Sequence, residues 1–343
     1  MNKLLSSRSS SIRSMPENYI FPVDSRPGEE TIPFCDALPV INLLSCDRDN
    51  AVQQVLEACQ EFGIFQLINH GVDEDLVSDT MRVVKEFFNM PEKDKEEYYS
   101  EDPNKKCRLF TGGYDYKNEN THLWRDTLRH PCIPLDECVP LWPGNPTRYR
   151  DVVRKYALEM GKLSSKILEL LSEGLGLGSG YFGEDLAGVQ NFSAHHYPPC
   201  PDPSLALGFP THCDVNLISF ILQDETYGLQ VFRNEKWMGV RPIPNAFLVI
   251  VGLQAKIISN GKLASPPHRA ITNSSQQRTS IISPIFPKPD SIIEPAKALI
   301  NDSNQPIYRA FEYNEFFRTY YEKKDFSEGA LEDFKVKSVH LTL

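Results

Sequence analysis

The stretch Thr211-His212-Cys213-Asp214-Val215-Asn216-Leu217-Ile218-Ser219-Phe220-Ile221-Leu222 joins a His-x-Asp motif to an apolar, β-rich run. Successive side chains of an extended strand alternate between its faces, so His212 and Asp214 are expected on the same face. A second histidine, His268, occurs further along the chain at the start of another predicted strand. Two imidazoles and one carboxylate, with open positions left over, are typical ligands of non-haem Fe(II) in oxygen chemistry. The sequence therefore predicts a metal site and points to an enzyme.

Short β-rich segments separated by turn residues surround this motif beyond Gly188. Such a series is typical of a sandwich, a barrel or a jelly roll. The predicted strands cover residues 192–197, 209–212, 217–222, 229–232, 237–240, 247–251, 256–259, 268–271 and 280–286.

The first half of the chain predicts helices, with short strands at residues 38–43 and 64–68. One helix is expected to begin at Asp49 and another at Asp73, because each aspartate precedes apolar residues at helical spacing. Residues 92–147 are charged and punctuated by Pro and Gly, which is typical of connecting loops. Further helices are expected over residues 149–172 and 313–324.

Together these patterns predict an α+β fold. Its core is a double-stranded β-helix, or jelly roll, with supporting N-terminal helices and a C-terminal lid helix. The expected regions are residues 1–187, which are rich in helix, residues 188–300, which form the jelly-roll core, and residues 301–343, which form the C-terminal helix and tail.

The composition is ordinary for a soluble globular protein and argues against some classes of partner. The 343 residues carry a net charge of −10 and contain no basic cluster interleaved with aromatics, so no nucleic-acid partner is expected. No apolar run approaches the length of a membrane span, so no membrane partner is expected either. The eight cysteines are scattered without CxxC pairs, which predicts reduced thiols and a cytoplasmic location. Nothing in the sequence demands more than a monomer.

The first fifteen residues contain Lys3, Arg8 and Arg13 and no acid, which weakly resembles an organelle transit peptide. The preferred interpretation is a short helical or frayed lead-in that ends at Pro16.

Arg278 and Ser280 stand two residues apart at the start of a strongly apolar predicted strand, and hence on one face of it. The planar guanidinium of Arg278 could hold a carboxylate with two parallel hydrogen bonds, although a solvated surface arginine is the ordinary alternative. An iron with open positions beside a receptor for a carboxylate suits a bidentate 2-oxo acid.

The whole chain resembles the plant 2-oxoglutarate- and Fe(II)-dependent dioxygenases, and within them the hyoscyamine 6-hydroxylase type of specialised metabolism. Several quoted motifs carry this resemblance, and together they are highly specific. They are Gly63-Ile64-Phe65-Gln66-Leu67-Ile68-Asn69-His70-Gly71, Tyr197-Pro198-Pro199-Cys200-Pro201, His212-Cys213-Asp214, Gly228-Leu229-Gln230-Val231, Ser259-Asn260-Gly261, His268-Arg269-Ala270 and Arg278-Thr279-Ser280. The stretch Trp124-Arg125-Asp126-Thr127-Leu128 supports the similarity to the hyoscyamine type with much less specificity.

The resemblance implies a role for each matching position. It implies that iron is bound by His212, Asp214 and His268, with oxygen as a substrate and ascorbate as a reductant. It also implies that the distal carboxylate of 2-oxoglutarate is held by Arg278, Ser280 and Tyr197. One departure lies nearby, because this chain has His195 where relatives usually have Asn. An imidazole can replace an amide as a donor, but its charge depends on pH, and a fourth metal ligand is an open alternative.

The substrate pocket is harder to predict. The candidate aromatic residues, each with core packing as the alternative, are Phe110, Tyr114, Trp124, Phe286 and Tyr320. Asp115 or Asp126 could face a cationic amine, with a solvated loop carboxylate as the alternative. The resemblance favours a small-molecule substrate, with an alkaloid preferred over a flavonoid or a coumarin.

The expected outcome is hydroxylation, or alternatively desaturation, ring closure, epoxidation or demethylation. Asp214 weighs against halogenation, because halogenating relatives lack this carboxylate. Two further hypotheses remain open. One is a related oxidase that does not consume 2-oxoglutarate, and the other is a non-catalytic binding protein whose co-substrate pocket is spoiled by His195.

Overall fold

A major and a minor β-sheet are the centre of the fold, in a computed structural model that describes residues 3–113, 116–324 and 326–337. The strand order is β1-β2-β10-β7-β12-β5-β4-β3 in the major sheet and β6-β11-β8-β9 in the minor sheet, while β13 pairs with β14. The strands are β1 (Val40–Asn42), β2 (Ile64–Ile68), β3 (Arg108–Thr111), β4 (Asp126–Pro131), β5 (Val189–Tyr197), β6 (Leu207–His212), β7 (Ile218–Gln223), β8 (Leu229–Arg233), β9 (Lys236–Gly239), β10 (Phe247–Val251), β11 (His268–Ile271), β12 (Arg278–Phe286), β13 (Ile292–Ile293) and β14 (Phe311–Glu312).

The two sheets enclose an apolar core. Ile221 and Ile250 of the major sheet form one buried cluster with Leu229 and Val231 of the minor sheet. Among the strand pairs described, all are antiparallel except β1 with β2. Two antiparallel sheets packed over a shared core form the predicted jelly roll, and the α+β prediction is confirmed.

Helices cover the outer face of the major sheet. Phe220 and Val249 of this sheet lie in one buried cluster with Val84 of α3 and Met160 of α6. Among the described residues, none of the helices is long and apolar enough to cross a membrane. The helices are α1 (Leu5–Arg8), α2 (Arg48–Glu61), α3 (Glu74–Asn89), α4 (Glu92–Lys95), α5 (Leu135–Cys138), α6 (Tyr149–Gly174), α7 (Glu184–Ala187), α8 (Leu253–Ile258) and α9 (Tyr313–Lys323).

The predicted helix starts are right at α3 and displaced at α2. Asp73 caps α3 by accepting a hydrogen bond from the backbone N–H of Leu76. The cap of α2 is Asp47, which accepts from the backbone N–H of Asn50, and not Asp49, which lies inside the first turn. Either aspartate stabilises a helix start, so the sequence alone could not separate them.

Two secondary-structure predictions were wrong. Residues 256–259, predicted as a strand, belong to or follow α8, because a short apolar run has no periodicity that separates a strand from a buried helix. The region 92–147 was predicted as loops but contributes β3 and β4 to the edge of the major sheet. Strand β4 is rich in polar residues, so it lacks the apolar alternation that predicts a strand. All of these polar residues are nevertheless buried or half-buried.

The N-terminal segment packs against β4. Leu5 is fully buried, and the carboxylate of Asp126 accepts hydrogen bonds from the backbone N–H groups of Leu5 and Ser6 at 2.9 and 2.8 Å. Asp126 also accepts from the hydroxyl of Thr111. The lead-in is therefore helical and docked, and Asp126 is neither a solvated loop carboxylate nor free to face a cationic amine.

Candidate active site

His212 and His268 lie side by side on two neighbouring strands of the minor sheet. His212 ends β6, His268 begins β11, and the two are register partners. Asp214 follows two residues after the end of β6, and one of its oxygens, Oδ1, lies 3.5 Å from Nε2 of His212 and 3.6 Å from Nε2 of His268. Among the described residues, this is the group of three whose ligand atoms lie within 4.8 Å of one another. The arrangement could hold one metal ion, and His195 is not part of it.

Backbone carbonyls orient both imidazoles. Nδ1 of His212 lies 2.9 Å from the carbonyl of Pro210, and Nδ1 of His268 lies 3.1 Å from the carbonyl of Pro266. A carbonyl oxygen can only accept, so each Nδ1 must carry the hydrogen and each Nε2 must carry the lone pair. Both lone pairs are thereby available to a metal, which is how metal-binding histidines are commonly held.

Asp214 is fixed by a short chain of buried polar groups. The hydroxyl of Ser219 donates to Oδ2 of Asp214 at 2.5 Å, and the side-chain amide of Asn216 donates to that hydroxyl at 2.7 Å. Burial raises the pKa of Asp214, but the two neighbouring imidazoles and the hydrogen bond from Ser219 lower it, and the resulting pKa is about 2. The carboxylate is therefore ionised, as a metal ligand must be.

The protonation of His268 also suits metal binding. Burial and the neighbouring His212 lower the pKa of His268 to about 4, against the opposing effect of Asp214. A neutral imidazole is the form that binds metals. Cys213, between the two ligands of the motif, points the other way into the core, as strand alternation requires.

Arg278 offers a receptor for an anion on the inner face of the major sheet. Its side chain is 3% exposed, and one nitrogen, Nη2, donates to Oε1 of Gln223 at 3.2 Å. The other two nitrogens, Nε and Nη1, are buried without a hydrogen-bond partner among the described residues. Unpaired buried donors on a cation are costly, so this geometry fits a bound carboxylate.

Two glycines let these side chains reach across the space between the sheets. A Cβ atom at Gly228 would lie 2.5 Å from Cδ of Arg278, and a Cβ at Gly208 would lie 2.4 Å from the ring of Tyr197. Gly208 belongs to β6, and Gly228 immediately precedes β8, so both lie at the minor sheet. Arg278 and Tyr197 of the major sheet are therefore brought towards the strands that carry the histidines.

His195 belongs to a row of polar residues, one from each of four neighbouring strands, on the inner face of the major sheet. Its register partners are Thr127 on β4 and Ser280 on β12, and Ser280 is in turn the partner of Gln223 on β7. The hydroxyl of Thr127 lies 2.9 Å from Nδ1 of His195. Burial and then the charges of Arg125, Arg278 and His212 hold the pKa of His195 well below its usual value. The imidazole is therefore neutral at physiological pH.

Of the residues predicted to contact the substrate, some lie at the site and others lie elsewhere in the fold. Phe110 is the register partner of Thr127 and extends the same inner row. Phe286 ends β12 eight residues beyond Arg278, about 26 Å away at the rise of a strand, so it does not line this site. Trp124 is fully buried, packs in a cluster with Leu5, and donates its indole N–H to the carbonyl of Pro198, so it belongs to the core.

Two further candidates have different outcomes. Tyr320 on α9 is buried, and its hydroxyl donates to the carbonyl of Cys213 at 2.7 Å. Tyr320 therefore holds the backbone between His212 and Asp214 and does not line an open pocket. Tyr114 and Asp115 lie outside the described residues.

Four polar residues near the site were missed as site residues by the sequence reasoning. Ser219 and Gln223 share the inner face of β7 with the core residue Ile221, so polar residues at alternate positions of an apolar strand were the available signal. Arg125 and Thr127 lie in the stretch Trp124-Arg125-Asp126-Thr127-Leu128. This stretch contributes to the family resemblance, but its spacing indicates no chemical role for either residue.

Comparisons with known proteins agree with this geometry. A family model described as the 2OG-Fe(II) oxygenase superfamily matches residues 188–287, and one described as non-haem dioxygenase in morphine synthesis N-terminal matches residues 38–145. The chain is 40% identical to hyoscyamine 6-dioxygenase of Hyoscyamus niger over 95% of this chain and 97% of that protein. It is 38% identical to flavanone 3-dioxygenase 2 of Oryza sativa subsp. japonica over 94% of each.

A solved structure extends the similarity to the whole fold. The crystal structure of JOX2 in complex with 2OG, Fe and JA matches with a TM-score of 0.85 and 30% identity, over 98% of both chains. Sequence and fold thus agree along nearly the full length. The chain is therefore an enzyme of the 2OG-Fe(II) oxygenase superfamily, with plant dioxygenases as its relatives.

Proposed function

We propose that this enzyme oxygenates a small molecule of plant specialised metabolism, using Fe(II) bound by His212, Asp214 and His268. In this proposal 2-oxoglutarate is the co-substrate, and its distal carboxylate is held by Arg278 and Ser280, with Tyr197 beside them. The observation that carries the proposal is the pair of unpartnered nitrogens of Arg278, Nε and Nη1, buried on the inner face of the major sheet. A family fold without such a receptor would lack the means to hold a 2-oxo acid.

The protein's own groups prepare the site for this chemistry. Bound iron supplies oxygen activation coupled to decarboxylation of 2-oxoglutarate, which yields succinate and carbon dioxide. The carbonyls of Pro210 and Pro266 fix the tautomers of the two histidines, and Ser219 fixes Asp214. The neutral His195, held by Thr127, stands where an uncharged hydrogen-bonding side chain can contact the co-substrate without opposing Arg278 by charge.

For the substrate we propose an alkaloid or a related nitrogenous metabolite, with hydroxylation as the outcome. The support is the 40% identity to hyoscyamine 6-dioxygenase. A flavonoid or coumarin is the alternative, supported by the 38% identity to flavanone 3-dioxygenase 2. We place Phe110 in the pocket because it lies on the inner row beside Thr127.

The test is succinate formation by the purified enzyme with Fe(II), 2-oxoglutarate, oxygen and ascorbate, in the presence of a metabolite panel. Succinate should appear with at least one substrate, and an equal amount of oxidised product should form with it. Asp214→Ala should abolish both. An oxidised product without succinate would support an oxidase that does not consume 2-oxoglutarate. Turnover by His195→Asn alone, with an inert wild type, would support a non-catalytic binding protein.

A further inference from the structure

We propose that Arg125 binds an acidic group on the organic substrate, so that the substrate of this enzyme carries a carboxylate. The inference rests on the proposed function, because it assigns part of the same site. It concerns a second guanidinium, separate from the one that we assign to the co-substrate.

Arg125 is buried but incompletely paired. Its side chain is 4% exposed, its Nε donates to the carbonyl of Gly112 at 3.2 Å, and its Nη1 has no hydrogen-bond partner among the described residues. A buried guanidinium with a free donor is destabilising unless an anion or another acceptor completes it. The free donor therefore indicates a ligand.

The side chain faces the metal side of the sheet. Arg125 and Thr127 are two residues apart and so share a face, while Asp126 between them points to the outer face and binds the N-terminal segment. The guanidinium carbon of Arg125 lies 4.1 Å from the centre of the Phe209 ring, and that ring lies 4.1 Å from the ring of His212. A group bound at Nη1 would thus lie near the metal ligands.

The charges around the site favour an anion there. In the proposed complex, the two positive charges of Fe(II) and the one of Arg278 balance the negative charges of Asp214 and the dianionic 2-oxoglutarate. The positive charge of Arg125 is then not balanced by any of these groups. Tyr197 shares a side-chain hydrogen bond with Arg125 and leaves its Nη1 unpaired, and Glu119 is the carboxyl group whose charge acts on Arg125. Burial raises the pKa of Glu119, and its Oε2 lies 3.2 Å from Nδ1 of His122. A planar carboxylate on the substrate would match the guanidinium, so among the nitrogenous metabolites of the proposed function the inference selects those that carry a carboxylate over purely cationic amines.

The experiment compares plant carboxylic acids with their own methyl esters on the wild-type enzyme. The probes are indole-3-acetic, jasmonic, cinnamic and pipecolic acids, each with its methyl ester, and hyoscyamine as a cationic amine. Two quantities are measured: the dissociation constant by calorimetry on the Fe(II) enzyme saturated with 2-oxoglutarate under anaerobic conditions, and the stimulation of succinate formation once oxygen is admitted. At least one acid should bind 10-fold or more tightly than its ester, because a charge-assisted hydrogen bond contributes about 1.5–3 kcal/mol.

Variants connect that preference to one residue. Arg125→Gln should reduce the preference for acid over ester to less than about twofold, and Arg125→Lys should retain part of it. The control is Arg233→Gln, because the guanidinium of Arg233 also lies over an aromatic ring, 3.5 Å from the centre of Phe62, but it pairs with the carboxylate of Glu61 at 2.8 Å. The control should keep the full preference.

The outcomes separate the two proposals. If no acid in the panel binds more tightly than its ester, or if hyoscyamine binds best, the role of Arg125 is overturned while succinate formation still supports the oxygenase. If an acid binds selectively through Arg125 but no succinate forms under any condition, the oxygenase proposal fails and the role of Arg125 stands. If Arg125→Gln does not fold, Arg125→Lys decides, and a full preference for the acid in that variant would overturn the role of Arg125.

Discussion

At the scale of single residues, the proposed metal ligands are positioned by neighbours that are not themselves ligands. Both histidines follow a proline by two residues, and each donates its Nδ1–H to that proline's carbonyl. The same Pro-x-His spacing occurs at both positions in the sequence, so this part of the site was readable in advance. The third support, the hydroxyl of Ser219 on Asp214, comes from the next strand and depends on the fold.

Replacing Ser219 should weaken iron binding without removing a ligand. Ser219→Ala deletes the 2.5 Å hydrogen bond to Asp214 and also leaves the amide of Asn216 without that acceptor. Losing such a support typically lowers metal affinity roughly 10- to 100-fold. Titration of the metal-free enzyme with Fe(II) under anaerobic conditions measures the change. Ser172→Ala is the matched control, since its buried hydroxyl donates to the carbonyl of Gly178, and it should leave iron affinity unchanged.

A methyl group at Gly228 should damage the co-substrate site alone. Gly228→Ala would place Cβ 2.5 Å from Cδ and 2.8 Å from Nε of Arg278, which forces the guanidinium to move. The loss of a charge-assisted contact costs about 1.5–3 kcal/mol, so the dissociation constant for 2-oxoglutarate should rise at least about tenfold. Calorimetry measures it. Gly178→Ala, where nothing lies within 4 Å of the new Cβ, should behave as wild type, and equal affinities in the two variants would contradict the assignment.

At the scale of elements, the register of four strands builds the inner row from residues far apart in sequence. Thr127, His195, Ser280 and Gln223 are successive register partners across β4, β5, β12 and β7. Three of these strands were predicted from their apolar pattern. The fourth, β4, was not, because its residues are polar and acquire their burial only from β3, β5 and the N-terminal segment.

The N-terminal segment is expected to stabilise the whole domain through β4. Deleting residues 1–12 would remove the backbone donors of Leu5 and Ser6 from the buried carboxylate of Asp126. The hydroxyl of Thr111 would still donate to this carboxylate, so the two lost donors should cost about 1–3 kcal/mol, which urea unfolding should detect as a lower free energy of unfolding. Combining the deletion with Asp126→Asn should recover part of the loss. If the deletion alone leaves the free energy of unfolding unchanged, the packing of this segment contributes nothing.

At the scale of the whole molecule, buried neutral histidines should make stability depend on pH. Burial lowers the pKa of His130 to about 3, against 6.5 for an ordinary histidine. The unfolded chain therefore binds a proton below pH 6.5 that the folded chain refuses until about pH 3. This contribution to stability is complete above pH 6.5 and is lost as the pH falls through that window.

The slope of this dependence can be measured on the metal-free enzyme. His130→Gln should reduce the change in free energy of unfolding between pH 6 and pH 4 by up to about 1.4 kcal/mol per pH unit. Urea unfolding at several pH values gives the slopes, and the curves of variant and wild type should run parallel between pH 7 and 9. An unchanged slope below pH 6 would mean that His130 takes up its proton in the folded state.

The architecture of the whole molecule follows from the sequence more directly than the substrate pocket does. The jelly roll was predictable because alternating apolar strands with turns between them allow few architectures, and His212 and Asp214 were placed together by local geometry. Phe286 was misplaced because position on a strand matters as well as face, and about 26 Å separates it from Arg278. Trp124 was misplaced because it packs in a buried cluster with Leu5 and Tyr19 of the docked N-terminal segment, a contact that depends on the fold.

The pairing of His212 with His268 would make the stability of the minor sheet depend on a bound metal. A metal bound there would tie β6 to β11 directly, so iron would act as a cross-link between two strands of one sheet. A ligand that binds only the folded form stabilises it by about 2.7 kcal/mol at 100 times its dissociation constant. Iron supply would then set how often the minor sheet opens, and scarcity of the metal would expose this oxygenase to proteolysis before it limited its catalysis.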